Sequence, residues 1–318
     1  MTAGVIVDRP DLSVVIPCKN EEDNAQAIYL AVLAAIEPLG FTFEIIFIDN
    51  SSTDRTVEIL RSICARDHRV RLIINVKDYG QLRSPVHAVF QARGLAVIGM
   101  CADFQDPPSM LPEFIARWRN GAEIVLGVRR EEKYTGLIHR QLRNLSYWLS
   151  RNFSDYPVVP DATGFGLYSA RVVDSIRKIE EPEPFFRGLL VETGYRLETI
   201  LYDRPERAGG KSKNTVSTLF DFALSAMAGS SKRLLRVPMY IGALGAFIAL
   251  IMLIGGTLAF CFDWAIAGWF IAAFIQFQFA LLFGFIGLLG DNVRIISERT
   301  RRTPLVLERE RVNFHPEK

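Results

Sequence analysis

The sequence predicts an α/β protein, a mostly parallel sheet covered by helices on both faces, followed by a two-helix transmembrane hairpin. Three observations lead there. Up to residue 214, short β-branched apolar runs alternate with amphipathic stretches. Acids and amides follow the ends of those runs, and two long uncharged stretches, 237–262 and 264–290, lie near the C-terminus.

The apolar runs are LSVVIP (12–17), FEIIFID (43–49), VRLIIN (70–75), AVIGMC (96–101) and EIVLGV (123–128). Each is short enough, and rich enough in Val and Ile, to read as a strand buried on both faces. Between them, 24–39 and 53–66 repeat apolar residues at helical spacing, and STD before RTVEIL supplies an N-cap. Strand alternating with helix predicts a parallel sheet that binds ligands at the carboxyl ends of its strands. Asn20 and Glu21 follow the first strand, Asp49 and Asn50 end the second, and 103–106 follow the fourth, so three strand ends converge on one cleft. No GxGxxG opens the first helix, which counts against a dinucleotide-dependent dehydrogenase.

The 26 and 27 residues of the two uncharged stretches exceed the roughly 20 that cross a bilayer core as helix. Lys232, Arg233 and Arg236 precede the first and Arg294, Arg299, Arg301 and Arg302 follow the second, with only Asp263 between them. The positive-inside rule then puts both ends in the cytosol. Upstream, Val216, Leu219, Phe220, Ala223, Leu224 and Met227 line one side of a helix that either lies on a membrane surface or faces a core. The expected division is a cytosolic domain over 1–214, juxtamembrane amphipathic helices over 215–236, two spans within 237–290 and a cytosolic tail over 291–318. Glycines within the spans suit close helix packing, within the chain or between copies of a homo-oligomer.

At 318 residues the chain can bury a large core, and a net charge of +2 argues against a nucleic-acid partner. Cys18, Cys64, Cys101 and Cys261 show neither CxxC nor zinc spacing, which suits a reduced, cytosolic setting. No basic region followed by an apolar core opens the chain, so no cleaved signal peptide is expected.

The turn after the fourth strand, MCADFQDPP, carries the densest chemistry. Asp103, Gln105 and Asp106 offer hard oxygen ligands suited to Mg²⁺ or Mn²⁺ shared with a substrate's phosphates. The alternative is local: Asp106 before Pro107 is a good N-cap for a following helix. Cys101, at the end of a strand, reads as a small apolar filler. Arg129 and Arg130 follow the fifth strand, and RAGGKSKN gathers Arg207, Lys211 and Lys213 around Gly209-Gly210, either as a phosphate site or as a solvated basic loop.

SVVIPCKNEE, FEIIFIDNSSTDRT, ADFQDPP, FFRGLL and RAGGKSKN resemble the ordered motifs of glycosyltransferase family 2, in particular its dolichol-phosphate mannosyltransferase and bactoprenol glucosyltransferase group. The resemblance implies a GT-A, Rossmann-like fold binding a nucleotide-diphosphate sugar. Pro17, Lys19, Glu21, Asp49, Asn50, Ala102, Asp103 and Arg129 would hold the nucleotide-sugar; Asp103, Gln105 and Asp106 would hold Mg²⁺ or Mn²⁺. Arg187, Arg207, Lys211 and Lys213 would bind the phosphates of donor or lipid acceptor. The implied reaction is inverting transfer of a sugar to a polyprenyl phosphate, at the cytoplasmic face of a bacterial inner membrane. KDYGQ resembles the family's RNFG segment, and no QxxRW-like motif of processive synthases is visible.

Three positions depart from the family pattern. Asn50 stands where the family has a second consecutive acid, Cys101 where it has an acid, and Gly164, in TGFGL, where it has an aspartate. Asp161, three residues earlier, is the acid that would replace it, so Asp103 and Asp161 are the expected catalytic carboxylates. These losses also motivate a rival reading, a catalytically silent scaffold that binds nucleotide or lipid. They matter less for a phosphate acceptor than for a hydroxyl, because a phosphate monoester, with a second pKa of about 6, is already an anionic nucleophile.

Overall fold

The computed structural model describes residues 9–130, 159–181, 184–203, 205, 267–301 and 304–314. The chain divides into two compact units, one of residues 1–142, 157–213 and 302–318, the other of 143–156 and 214–301.

In the first unit the expected strands form: β1 (Leu12–Cys18), β2 (Phe43–Asp49), β3 (Val70–Asn75), β4 (Ala96–Gly99) and β5 (Ile124–Arg129). Three strands were not expected: β6 (Ala162–Ser169), β7 (Leu197–Tyr202) and β8 (Glu308–Val312). The sheet runs β7-β5-β6-β4-β1-β2-β3-β8. Strands β1 to β4 are mutually parallel, β6 is antiparallel to β4 and β5, and β8 is antiparallel to β3. The sheet is therefore mixed.

Every residue of β2 and β3 is buried, as continuous apolar runs demand when helices cover both faces. Leu12, Val14, Ile16, Ile45, Phe47, Leu72 and Ile74 join α1 (Ala25–Ile36), α2 (Thr56–Arg66) and α4 (Leu111–Arg119) in one core. Helix α3 (Gly80–Gln91) packs on β1 and β2, and α5 (Ala170–Arg177) packs on β4 and β6. A short α6 (Phe186–Glu192) lies on β6. The N-cap of α2 is Arg55, without a side-chain cap, although Asp54 of the expected capping stretch accepts the Thr56 amide at 3.0 Å just before it. Gly166 of β6 has a steric reason: a Cβ there would fall 2.3 Å from the Val125 carbonyl oxygen.

In the second unit the described residues form α7 (Ala267–Arg301), 35 residues long. Among the described residues no helix is long and apolar enough to cross a membrane. That finding overturns the expected placement as a multi-pass protein of a bacterial inner membrane, and it leaves the transmembrane hairpin without support. From residue 267 on, the second uncharged stretch forms the first part of α7, which includes Gln276 and Gln278 and continues unbroken through Asp291, Arg294, Glu298 and Arg299. Ile271, Ile275, Phe279, Leu282, Ile286, Leu289, Val293 and Ile296 are exposed along it at three- and four-residue spacing, with Phe277 exposed besides. The first uncharged stretch and the 215–236 helices lie outside the described residues.

Candidate functional site

Because β1 to β4 are parallel, their carboxyl ends share one edge of the sheet. Antiparallel β6 brings its amino end to the same edge, with Ala162 opposite Val128 and Gly166 opposite Gly99. Four non-glycine residues with positive φ cluster there: Asn20 after β1, Ser51 after β2, Phe104 after β4 and Asp161 before β6, at 55°, 62°, 59° and 59°. Left-handed backbone at such residues is costly and concentrates at functional sites.

The ends of β1 and β2 are laced together. The Asn50 amide donates to Cys18 O at 2.9 Å, the Asn20 amide to Ser52 Oγ at 2.8 Å, and the Thr53 amide to Asn20 Oδ1 at 2.8 Å. Glu21 is nearly buried and accepts Asn24 Nδ2 at 2.7 Å. Asp49 is fully buried; one oxygen accepts the Ser52 amide at 3.1 Å and the other meets no donor among the described residues. Burial raises its pKa above the ordinary carboxylate value, against the pull of the Ser52 hydrogen bonds.

Asn50 is the hub. Its Oδ1 accepts the Tyr79 amide at 2.9 Å and Asn75 Nδ2 at 3.2 Å, while its Nδ2 donates to Asp78 Oδ1. The other oxygen of Asp78 pairs with Lys19. Burial alone would raise the Asp78 carboxyl, but Lys19 and the Gly80 amide hold it below its usual value. A carboxylate at position 50 would face Asp78 directly, and Asp78 already sets an acid beside Asn50. Sequence reasoning missed Asp78, although an acid shortly after a strand end was the signal that found the others.

On the 101–106 turn the three expected metal ligands have different surroundings. Asp103 is half-buried and its Oδ1 accepts the Gln105 amide at 3.2 Å. Asp106 is 3% exposed and turned inward, where Oδ2 accepts the Cys101 amide at 2.9 Å and Oδ1 accepts the Tyr202 hydroxyl at 3.3 Å. Burial raises the Asp106 pKa. A helix does begin at Pro108, but Asp106 ties the turn to itself and makes no side-chain cap for it. Cys101 is exposed, which corrects its reading as an apolar filler; the buried neighbours are Met100 and Ala102. Among the described residues no three His, Cys, Asp or Glu side chains converge as a metal site. The donor set instead suits an ion completed by substrate phosphates, as Mg²⁺ sites commonly are.

On the other flank the Arg129 amide donates to Asp161 O at 3.2 Å, which sets the two residues side by side. Arg187, from α6, donates to Ala162 O at 3.0 Å and stacks over Phe185, its guanidinium carbon 5.2 Å from the ring centroid. Gly164 has a φ of +93°, and its carbonyl accepts the Tyr168 hydroxyl. The residue in place of the family's aspartate therefore sits where L side chains are strained. Arg207, Lys211 and Lys213 lie outside the described residues.

Residues 13–176, just over half of the chain, match the model of glycosyl transferase family 2, and the chain belongs to that family. It is a glycosyltransferase resembling the polyisoprenyl-phosphate group, and its mixed α/β sheet bears out the GT-A-like part of the expected fold. Two bactoprenol glucosyl transferases are among its relatives. That of Shigella phage SfV is 29% identical over 94% of this chain and 99% of its own, and the SfII prophage-derived one of Shigella flexneri is 30% identical over 75% and 77%. An uncharacterized glycosyltransferase of Synechocystis sp. is 28% identical over 93% and 94%. Glucosyl-3-phosphoglycerate synthase from Mycobacterium tuberculosis, solved with Mn²⁺, UDP-glucose and phosphoglyceric acid, aligns at 19% identity over 69% of this chain and 78% of that one. Its TM-score is 0.49, too low to carry an argument.

Proposed function

We propose that the protein transfers a sugar from a nucleotide-diphosphate donor to a polyprenyl phosphate, with inversion at the anomeric carbon. The observation that carries this reading is the gathering of Asp49, Asn50, Asp103, Arg129 and Asp161 at one edge of one sheet. Relatives named bactoprenol glucosyl transferase, matched along most of their length, support the lipid acceptor.

In the proposed reaction an oxygen of the acceptor phosphate attacks the anomeric carbon while the bond to the donor diphosphate breaks on the opposite face. The nucleophile is already an anion, so no side chain has to remove a proton. What the protein supplies is alignment and charge. Pro17, Lys19, Glu21, Asp49, Asn50 and Ala102 cradle the nucleoside. Arg129 and Arg187 screen the repulsion between the two phosphate groups, with Arg207, Lys211 and Lys213 as further cations. Asp161 replaces the aspartate that the family carries at 164. Asp103 and Gln105 would hold Mg²⁺ or Mn²⁺ together with the donor, and that ion would stabilise charge on the departing diphosphate.

The test combines full-length protein with undecaprenyl phosphate, Mg²⁺ or Mn²⁺ and a panel of nucleotide-sugars, and looks for a lipid-linked monosaccharide. Nucleotide diphosphate binding with no donor consumed across the panel would refute transferase activity in favour of a silent scaffold. Product that persists with neither ion and in chelator would refute the metal.

A further inference from the structure

Strand β8 reaches the site from the far end of the sequence. It pairs antiparallel with β3, so its amino end lies where β3 ends and the 76–80 loop begins. The Val76 amide donates to Leu307 O at 3.0 Å, and Asn75 stands opposite Glu308, with a register shift between Ile74 and Asn75. Such bulges are over-represented beside active sites, where they re-aim a side chain. The Glu308 carboxylate, 15% exposed, meets His87 Nε2 of α3 at 2.5 Å and also pairs with Arg311. Arg83, also on α3, donates to Pro304 O at 2.9 Å. The same loop presents Asp78 and the Tyr79 amide to Asn50 and Lys19. The loop is therefore held between the donor-site residues on one side and the C-terminal segment on the other.

We infer that the 304–314 segment is a working part of the donor-nucleotide site, in which Glu308 is a positioning residue that sets the 76–80 loop against Asn50 and Lys19. The inference rests on the donor reading proposed above. Charge agrees with the geometry. Burial would raise the Glu308 carboxyl, yet His87 and Arg311 hold it down at about 2, so the clamp stays ionised on the Glu308 side. Arg309, in the bulge, joins the Ser52 contacts in drawing the Asp49 carboxyl back down against burial, which puts the start of β8 within electrostatic reach of the donor acids. The rest of the strand has its own anchors away from that edge. Glu310 pairs with Arg61 of α2, and Asn313 Nδ2 donates to Cys64 O and Val70 O, both at 2.8 Å. Glu308 can thus be separated from the strand's attachment.

The experiment titrates UDP, ADP, GDP, CDP and dTDP, each with Mg²⁺, into full-length wild type, Glu308→Gln, His87→Asn and Glu310→Gln by calorimetry. Donor and acceptor kinetics follow. Glu308→Gln and His87→Asn are expected to weaken the nucleotide that wild type binds, and to raise donor KM, about tenfold, with kcat and acceptor KM within about twofold. Glu310→Gln should leave all four within about twofold. Unchanged nucleotide affinity in Glu308→Gln, or an equal loss in Glu310→Gln, overturns the inference. Hydrogen exchange on wild type needs no variant: protection of 304–314 should rise together with that of 76–80 when nucleotide binds, and unchanged protection of 304–314 also overturns it. If wild type binds none of the five nucleotides, it is the donor reading that has failed.

Discussion

Replacing Asp106 and Asp103 separately distinguishes a carboxylate that builds the turn from one that faces ligand. Asp106→Ala removes the acceptor for the Cys101 amide at 2.9 Å and for the Tyr202 hydroxyl at 3.3 Å, the latter in a buried setting. A buried donor left unpaired costs about 1–3 kcal/mol, which applies in full to the Tyr202 hydroxyl and only in part to the half-buried Cys101 amide. Part of this is returned. Burial raises the Asp106 pKa, so the ionised group is itself penalised and its removal relieves that penalty. The net loss is set at about 2 kcal/mol, with Asp106→Asn costing less because one acceptor oxygen survives. Asp103, half-buried with its Oδ1 on the Gln105 amide at 3.2 Å, should cost less than Asp106 on conversion to Ala, yet abolish metal-dependent turnover. Urea unfolding measures the first quantity, and a Mn²⁺ titration of turnover measures the second. If Asp106→Ala unfolds like wild type and loses Mn²⁺ dependence as Asp103→Ala does, then Asp106 is a ligand and the assignment of roles on this turn is wrong.

Asn50→Asp should weaken nucleotide binding and destabilise the fold by about 1–3 kcal/mol through its contact with Asp78, and adding Asp78→Asn should restore most of both; a double variant no better than the single refutes the coupling. Gly166→Ala forces β6 away from β5 and should cost at least about 2 kcal/mol in urea unfolding, since its Cβ would lie 2.3 Å from Val125 O. For pH, the folded-state pKa of Asp49 is raised above its unfolded value of about 3.9, so the folded state binds the proton more tightly. Its stabilising contribution is full below that unfolded value and is lost as pH rises through the folded one. Stability of Asp49→Asn relative to wild type should therefore increase as pH rises from about 4, and a flat difference curve counts against the buried carboxylate.

Strands β1 to β5 were legible because each is a run of Val, Ile, Leu and Phe that only a two-sided core can bury. The three missed strands lack that signature for separate reasons. In β6, ATGFGLYS, two glycines dilute the pattern, and Gly166 is there because β5 comes too close for a side chain. Strand β7 is half-exposed at the sheet's edge. Strand β8, ERERV, reads as a charged tail, which is how an edge strand is protected from pairing with other chains. The site followed the same division. Asp49, Asn50 and Asp103 could be read from parallel strand ends, whereas the meeting of Asp161 with Arg129 depends on antiparallel β6. The inward turn of Asp106 depends on Tyr202 of β7. No sequence period reports either contact.

The three departures from the family pattern are of different kinds. At position 50 the amide is bonded to an acid, because Asp78 stands within a hydrogen bond of Asn50 and has Lys19 as counter-ion. At 164 a side chain is disfavoured by a φ of +93°, and the nearest acid is Asp161, in its own left-handed conformation beside Arg129. Both changes leave an acid at the same edge, 28 positions further along the chain in the first case and three positions back in the second. Position 101 is different. Cys101 is an exposed residue on the same turn as Asp103, but its thiol hydrogen-bonds Asp106, which is also committed to the Cys101 amide and Tyr202. If a carboxylate were placed there by Cys101→Asp, it would add an acid close to both Asp103 and Asp106. The expected result is tighter Mn²⁺ binding without a requirement for donor phosphates, whereas in the native turn the ion and donor should bind cooperatively. Donor-independent Mn²⁺ binding by the native protein, equal to that of Cys101→Asp, would show that the turn needs no help from substrate.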